Sequence, residues 1–269
     1  MDCGTTWRCY DSIASRYDHD AVELVFAAPA RDLAALVGLP AGGRLLDVGT
    51  GTGRAALAAG EIGGPGSELF GIDLSVEMLR QARRRGLSGL AAAAATALPF
   101  PDSVFERVVA SFVLAHCACY RSALGEMVGV LRRGGRLGVT VWSGGVGEAG
   151  RCWQQAAEEA VGKEVLSRAI QQALPWEDWL ADPTHLQDAL AEAGLVDVTV
   201  QQRQYTATMT VAKFLAFREV SLQARFVRER LGEAGWERFR AGVAERLGAR
   251  LDGPVLYARG ALVAAGTRT

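Results

Sequence analysis

The sequence predicts an α/β protein: a doubly wound, mostly parallel sheet of seven strands with helices on both faces and a helical lid. Three observations predict it. Short apolar runs alternate with helix-like stretches from residue 44 to residue 142. Two of those runs end in an acid, Asp47 and Asp73, and the first leads into a turn with glycine at Gly49, Gly51 and Gly53. Two more strand patterns lie near the end of the chain, separated by a helical block. Regular alternation of strand and helix implies crossover connections, and these place helices on both faces of a parallel sheet.

Residues 10–37 carry Ile13, Ala14 and Tyr17, then Val22, Val25 and Phe26, at the three- and four-residue spacing of a helix. Gly38 to Gly43 interrupt that pattern and strand 44–48 follows. Then come helix 53–60, strand 68–72, helix 75–85, a weak Ala-rich strand near 90–94, strand 106–112, helix 120–131 and strand 136–142. Ser143–Gly150 reads as a glycine-rich hinge, and 151–180 as amphipathic helix interrupted by Pro175. Residues 184–194 form a capped helix ending in glycine, and 196–209 alternate as a strand. A helical block at 211–248 precedes a closing strand at 255–266. This gives one domain with its core at 41–142, 183–210 and 251–269. Residues 1–40, 143–182 and 211–250 form a lid over the carboxyl ends of the strands, where open α/β sheets bind ligands. The same helices could serve a dimer interface, so monomer and homodimer both stay open.

Composition excludes several classes. With 269 residues, 49% of them hydrophobic, the chain has ample material for a core. A formal charge of −1 offers no field for nucleic acid or an acidic membrane. No run of eighteen apolar residues occurs, and MDCGTTWRCYDS lacks the build of a signal peptide. The five cysteines, Cys3, Cys9, Cys117, Cys119 and Cys152, are scattered, and Cys117-Ala118-Cys119 has no second pair to complete a metal site. The expectation is a cytoplasmic protein with reduced thiols, no metal, no membrane and a small-molecule substrate.

The turn RLLDVGTGTG at 44–53 is the most specific feature. Glycine lets backbone approach a ligand closely because it has no Cβ. A dinucleotide-binding turn would need its third glycine at the position of Arg54. The pattern D-x-G-x-G-x-G instead resembles motif I of the class I S-adenosylmethionine (SAM) methyltransferases. GIDLSVEMLRQAR, from Gly71, resembles motif II of that family, most closely its ubiquinone/menaquinone-methyltransferase-like branch. LPFPDSVFERVVASFVL at 98–114 is similar to the block that follows.

The resemblance implies a SAM cofactor on the methyltransferase version of the doubly wound fold. It assigns Asp47, Gly49, Thr50, Gly51 and Gly53 to the methionine end and Asp73 to the ribose hydroxyls. Leu74 and Met78 would pack on the adenine. Ser111 would offer its carbonyl to the methionine ammonium, and Tyr17 would cover the methionine carboxylate. The family's adenine-binding acid falls at Ala94, leaving the backbone N–H of Ala95 to contact the ring. Of the family's L-H-H-x-x-D, this chain keeps only the second histidine, His116. A histidine there suits proton removal from a phenol or amine, with a reference pKa near 6.5. Capping or packing at a strand end is its alternative role.

The function implied is methyl transfer to oxygen, nitrogen or carbon of a small, largely apolar molecule such as a natural-product intermediate. Trp153, Trp176, Trp179, Phe214, Phe217, Phe226, Trp236 and Phe239 suggest an apolar acceptor, although they equally suit the lid's own core. A SAM-binding enzyme that catalyses a cyclisation or rearrangement is the alternative, with a nicotinamide oxidoreductase behind it. Ala94 yields the first prediction. Ala94→Asp adds an acceptor toward the adenine amino group and is expected to tighten SAM by about 1 kcal/mol, read by calorimetry. Weaker binding would mean that the pocket is closed to a carboxylate there.

Overall fold

Seven strands form a single sheet: β1 (Arg44–Val48), β2 (Glu68–Asp73), β3 (Gly89–Ala92), β4 (Phe105–Ser111), β5 (Leu131–Val146), β6 (Leu195–Met209) and β7 (Val255–Arg268). The computed structural model describes residues 8–18 and 20–269, so Cys3 and His19 lie outside it. The strand order is β3-β2-β1-β4-β5-β7-β6. Strands β1 to β5 run parallel, and β7 pairs antiparallel with both β5 and β6. The order reverses between β1 and β4, the crevice where such sheets bind ligands.

Side-chain alternation along each strand feeds two layers. On β1, Leu46 and Val48 join β4, β5, α4 (Tyr120–Val130) and α8 (Pro183–Glu192) on one face. Leu45 points the other way, toward α1 (Asp20–Val37), α2 (Arg54–Gly63) and Ala82 of α3 (Val76–Arg84). A third cluster lies at the carboxyl end of the sheet. It unites α1, α5 (Glu148–Val161), α6 (Lys163–Ala173), α9 (Val211–Glu219) and α10 (Leu222–Arg250) with Tyr257 and Met209. Trp153, Phe214, Phe217, Phe226 and Trp236 are buried inside that cluster. They are therefore the core of the helical layer.

Local detail departs from the sequence reading in five places. The helix expected over 10–37 is a 3-10 segment, Asp11–Asp18, followed by α1. Ser143–Gly150 is no hinge: β5 runs on to Val146 against β7, and α5 starts at Glu148. The stretch 151–180 breaks at Gly162 as well as near Pro175, ending in a short α7 (Glu177–Leu180). Trp176 and Trp179 leave the lid altogether and pack on Tyr120, with ring centroids 4.9 and 5.3 Å away. The block at 211–248 is α9 and α10, with α10 interrupted at Gly232, where φ is +65°.

Tyr120 is fully buried, and its hydroxyl finds no partner among the described residues. An unpaired buried hydroxyl costs stability, whereas its ring contacts do not depend on the oxygen. Tyr120→Phe is therefore expected to stabilise the chain by about 1 kcal/mol, measured as a shift of the denaturant midpoint at unchanged slope.

Candidate cofactor and acceptor site

Asp47 holds the glycine turn together from beneath. Its Oδ2 accepts the Thr50 hydroxyl at 2.9 Å and the Ala56 N–H at 3.1 Å. The side chain is buried, and desolvation pushes its carboxyl up to about 7. Thr50 is also buried and latches the turn to β2, its N–H donating to the Ile72 carbonyl at 2.8 Å. Gly49 has φ +66°, and a Cβ there would stand 2.4 Å from Val113 Cγ2. Gly53, with φ +87°, caps α2 and packs toward Ala82. Gly51 differs from its neighbours. Its φ is +54°, and a Cβ would meet nothing within 4 Å. Of the five turn residues, Gly51 thus faces the open cradle and the other four brace it.

Asp73 closes β2 beside that cradle. Its Oδ2 accepts the Gly51 N–H at 2.9 Å and its Oδ1 the Ser75 N–H at 2.8 Å. Burial raises the Asp73 carboxyl, outweighing the backbone N–H groups that lower it. Leu74, next to it, is 49% exposed and offers apolar surface, whereas Met78 is 2% exposed and packed into the protein. Ala94 and Ala95 sit just past β3, in a tight turn closed by the Ala97 N–H donating to the Ala94 carbonyl at 3.1 Å. Ser111 ends β4 with its hydroxyl 3.0 Å from Thr140 Oγ1.

The N-terminal segment straps across this edge. Asp11 Oδ1 accepts the Ser75 hydroxyl at 2.5 Å and the Glu77 N–H at 3.2 Å. Arg54, at the first turn of α2, donates to the Tyr17 carbonyl at 2.9 Å and to Glu23 at 2.8 Å. Tyr17 is thereby fixed at the site, 5.9 Å from the Tyr10 ring and 6.3 Å from the Phe26 ring. Phe26 touches Phe112 and Trp142, and those two stack with centroids 4.0 Å apart. Phe112 stands in the left-handed region at φ +58°, strain of the kind that collects at ligand sites. Its N–H is held by the Thr140 carbonyl at 3.0 Å and hydroxyl at 3.1 Å.

His116 is half-buried with its ring edge-on to Tyr10 at 5.8 Å. Burial, and then the charge of Arg225, push it down to about 4. It is neutral at pH 7 and a weak proton acceptor. Sequence reasoning missed Tyr10, Phe26, Phe112, Trp142 and Arg225. Phe112 and Trp142 had a signal, since each stands at the carboxyl end of a central strand. The others come from segments that only tertiary folding brings here.

Residues 46–139 match the methyltransferase domain family. A demethylmenaquinone methyltransferase from Thermus thermophilus is 43% identical over 136 residues, 48% of this chain and 61% of that protein. The chain therefore spans about three fifths of that curated relative. A SAM-dependent methyltransferase from Thermotoga maritima aligns over 98% of this chain and 100% of its own, with TM-score 0.55 at 17% identity. Haemonchus contortus phosphoethanolamine N-methyltransferase 2, solved with SAM, aligns over 97% of this chain and 60% of its own, with TM-score 0.54 at 18% identity. Identities this low speak for the fold alone. The family's cofactor is SAM, and the residues present fit it: an open glycine face lies beside a carboxylate that keeps lone pairs free for two hydroxyls.

Gly51→Val tests the cradle. A branched side chain at positive φ costs about 1–2 kcal/mol of stability and fills the open face. We expect near-native circular dichroism with SAM binding lost by calorimetry; normal binding would remove the glycine turn from the cofactor site.

Proposed function

We propose that this chain, a member of the class I SAM-dependent methyltransferases, transfers a methyl group to a small molecule with an aromatic body. The observation that carries the reading is the open face of Gly51, tied through its N–H to Asp73, together with a cluster of Tyr10, Tyr17, Phe26 and Trp142 that Arg54 anchors to the start of α2 through the Tyr17 carbonyl. SAM supplies an already activated methyl group, so the protein has to align the acceptor in line with it and exclude water. Alignment alone can supply ~7 kcal/mol or more of the barrier reduction. Asp73 would accept the ribose hydroxyls, and the Ser111 carbonyl would receive the methionine ammonium. Ala95 and Leu74 would border the adenine.

Tyr10 and Tyr17 both keep their phenolic protons, because burial raises each pKa. They can therefore donate hydrogen bonds and close the site without adding charge. His116 in its neutral form can accept a hydrogen bond from an acceptor hydroxyl and orient it. A quinol or phenol is favoured by the aromatic wall and by the relatives named for demethylmenaquinone.

The test is incubation of the chain with SAM and a demethylated naphthoquinol, followed by mass spectrometry. A product one methyl heavier, with equimolar S-adenosylhomocysteine, is expected. Turnover without S-adenosylhomocysteine would replace transfer by the cyclisation reading. No change in any of a panel of quinols, phenols and amines, despite SAM binding, would remove the proposed chemistry.

A further inference from the structure

The helical layer places an unfilled guanidinium beside this site. Arg225, near the start of α10, is 7% exposed. Its Nη1 donates to the Cys9 carbonyl at 2.9 Å, and its carbon lies 4.4 Å from the centre of the Tyr10 ring. Those two contacts fix the plane of the group. Its Nε–H and one face of Nη2 remain, and both nitrogens are buried without a hydrogen-bond partner among the described residues. Nε and Nη2 form the side-on edge of the guanidinium, two parallel N–H bonds spaced to meet both oxygens of a carboxylate. Arg225 makes no ion pair among the described residues. Leaving such donors empty costs stability unless something fills them.

The charge around Arg225 is consistent with a missing anion. Arg259 takes Glu177, its Nη2 2.9 Å from Oε1, and lies over Trp142 at 4.4 Å. Arg218 is buried over Trp153 at 4.2 Å and, among the described residues, its guanidinium bonds the neutral Gln223 amide, at 2.6 Å. Three arginines thus approach the aromatic wall and its supporting core with one paired carboxylate. Burial drives Arg218 down to about 10, the response of a cation short of counter-charge. Arg225 itself stands next to His116 through Tyr10, whose hydroxyl feels the charges of both Arg225 and Asp73.

We propose that the acceptor carries a carboxylate and that Arg225 binds it through its Nε–H and Nη2–H edge. The inference rests on the methyltransferase reading above and narrows it: the quinol or phenol that binds best also carries a carboxylate, its ring on the aromatic cluster and its acidic group at Arg225, so that a neutral naphthoquinol is the weaker substrate. The two N–H groups are sealed from solvent in this arrangement, so the strap or α10 must part to admit the acid and then close over it.

The experiment uses the full chain saturated with S-adenosylhomocysteine and two probes, 2-naphthoate and the neutral 2-naphthamide, followed by calorimetry. The wild type is expected to bind the acid about ten-fold more tightly than the amide, the difference one charge-assisted pair supplies. Arg225→Gln should bring that ratio close to one. Arg225→Lys, which keeps the charge and loses the edge, should leave an intermediate ratio. The ratio separates recognition from a general structural loss, which would weaken both probes alike. Equal affinities in the wild type, a preference that survives in Arg225→Gln, or no binding of either probe while S-adenosylhomocysteine binds would each overturn the proposal. Should Arg225→Gln fail to fold, the wild-type and Arg225→Lys ratios decide. Failure of S-adenosylhomocysteine itself to bind would instead remove the underlying methyltransferase reading, and the acid-binding proposal with it.

Discussion

The hydrogen bond from the Gly51 N–H to Asp73 Oδ2, 2.9 Å long, is the constraint around which the cofactor half is arranged. It joins the turn after β1 to the end of β2, two segments twenty-two residues apart in sequence. For the bond to form, Gly51 must take a left-handed conformation, and the turn must be held down by Asp47 from below. The acid at Asp47 is enclosed and bonded to its own turn, and desolvation pushes its carboxyl up to about 7. Two acids that look equivalent in the sequence thus serve different ends. One builds the turn, and the other presents its free lone pairs outward.

The aromatic side of the candidate site obeys a different logic. Its wall is assembled from places far apart in the chain: the N-terminal strap, α1, the ends of β4 and β5, and α10. The strap is secured by Asp11 on α3's cap and by Arg54 on the Tyr17 carbonyl. Both anchors are polar, and the strap is held as well by Ile13, which is buried in the core of the helical layer with Tyr10 and Tyr17 packed against it. The helical layer has its own buried aromatic core.

The cofactor half was legible in the sequence because its work is done by backbone. A turn that must bring N–H groups close to a ligand needs glycine at fixed spacing, and a short strand ending in an acid keeps a fixed place in the sheet. Gly51 and Asp73 stand out in the sequence on those grounds, and the structure bonds them to each other. Phe112, in contrast, adopts a left-handed conformation that no local pattern announces. Trp176 and Trp179 share the composition of the lid aromatics yet pack on Tyr120, since composition carries no information about which layer an aromatic joins. Ser143–Gly150 looked like a hinge because glycine-rich sequence reads as flexible, but pairing with β7 extended β5 through it. The partner of Arg225 lies more than two hundred residues away, out of reach of any window of sequence.

The way α9 and α10 enter the fold has an evolutionary consequence. They leave the sheet after Met209 and return at Val255, and those two residues face each other across the β6–β7 ladder. The ends of the insertion are therefore neighbours, held at one strand spacing whatever lies between them. Closing a longer or shorter segment across such a gap changes the free energy only slowly with its length. A lineage could exchange this cassette, and with it the residues that meet the acceptor, while the sheet and its glycine turn stayed intact. Kinship in such proteins would be strongest in the segment that holds the shared cofactor and would fade over the inserted helices. The match to the methyltransferase domain family covers residues 46–139, the stretch that includes the glycine turn.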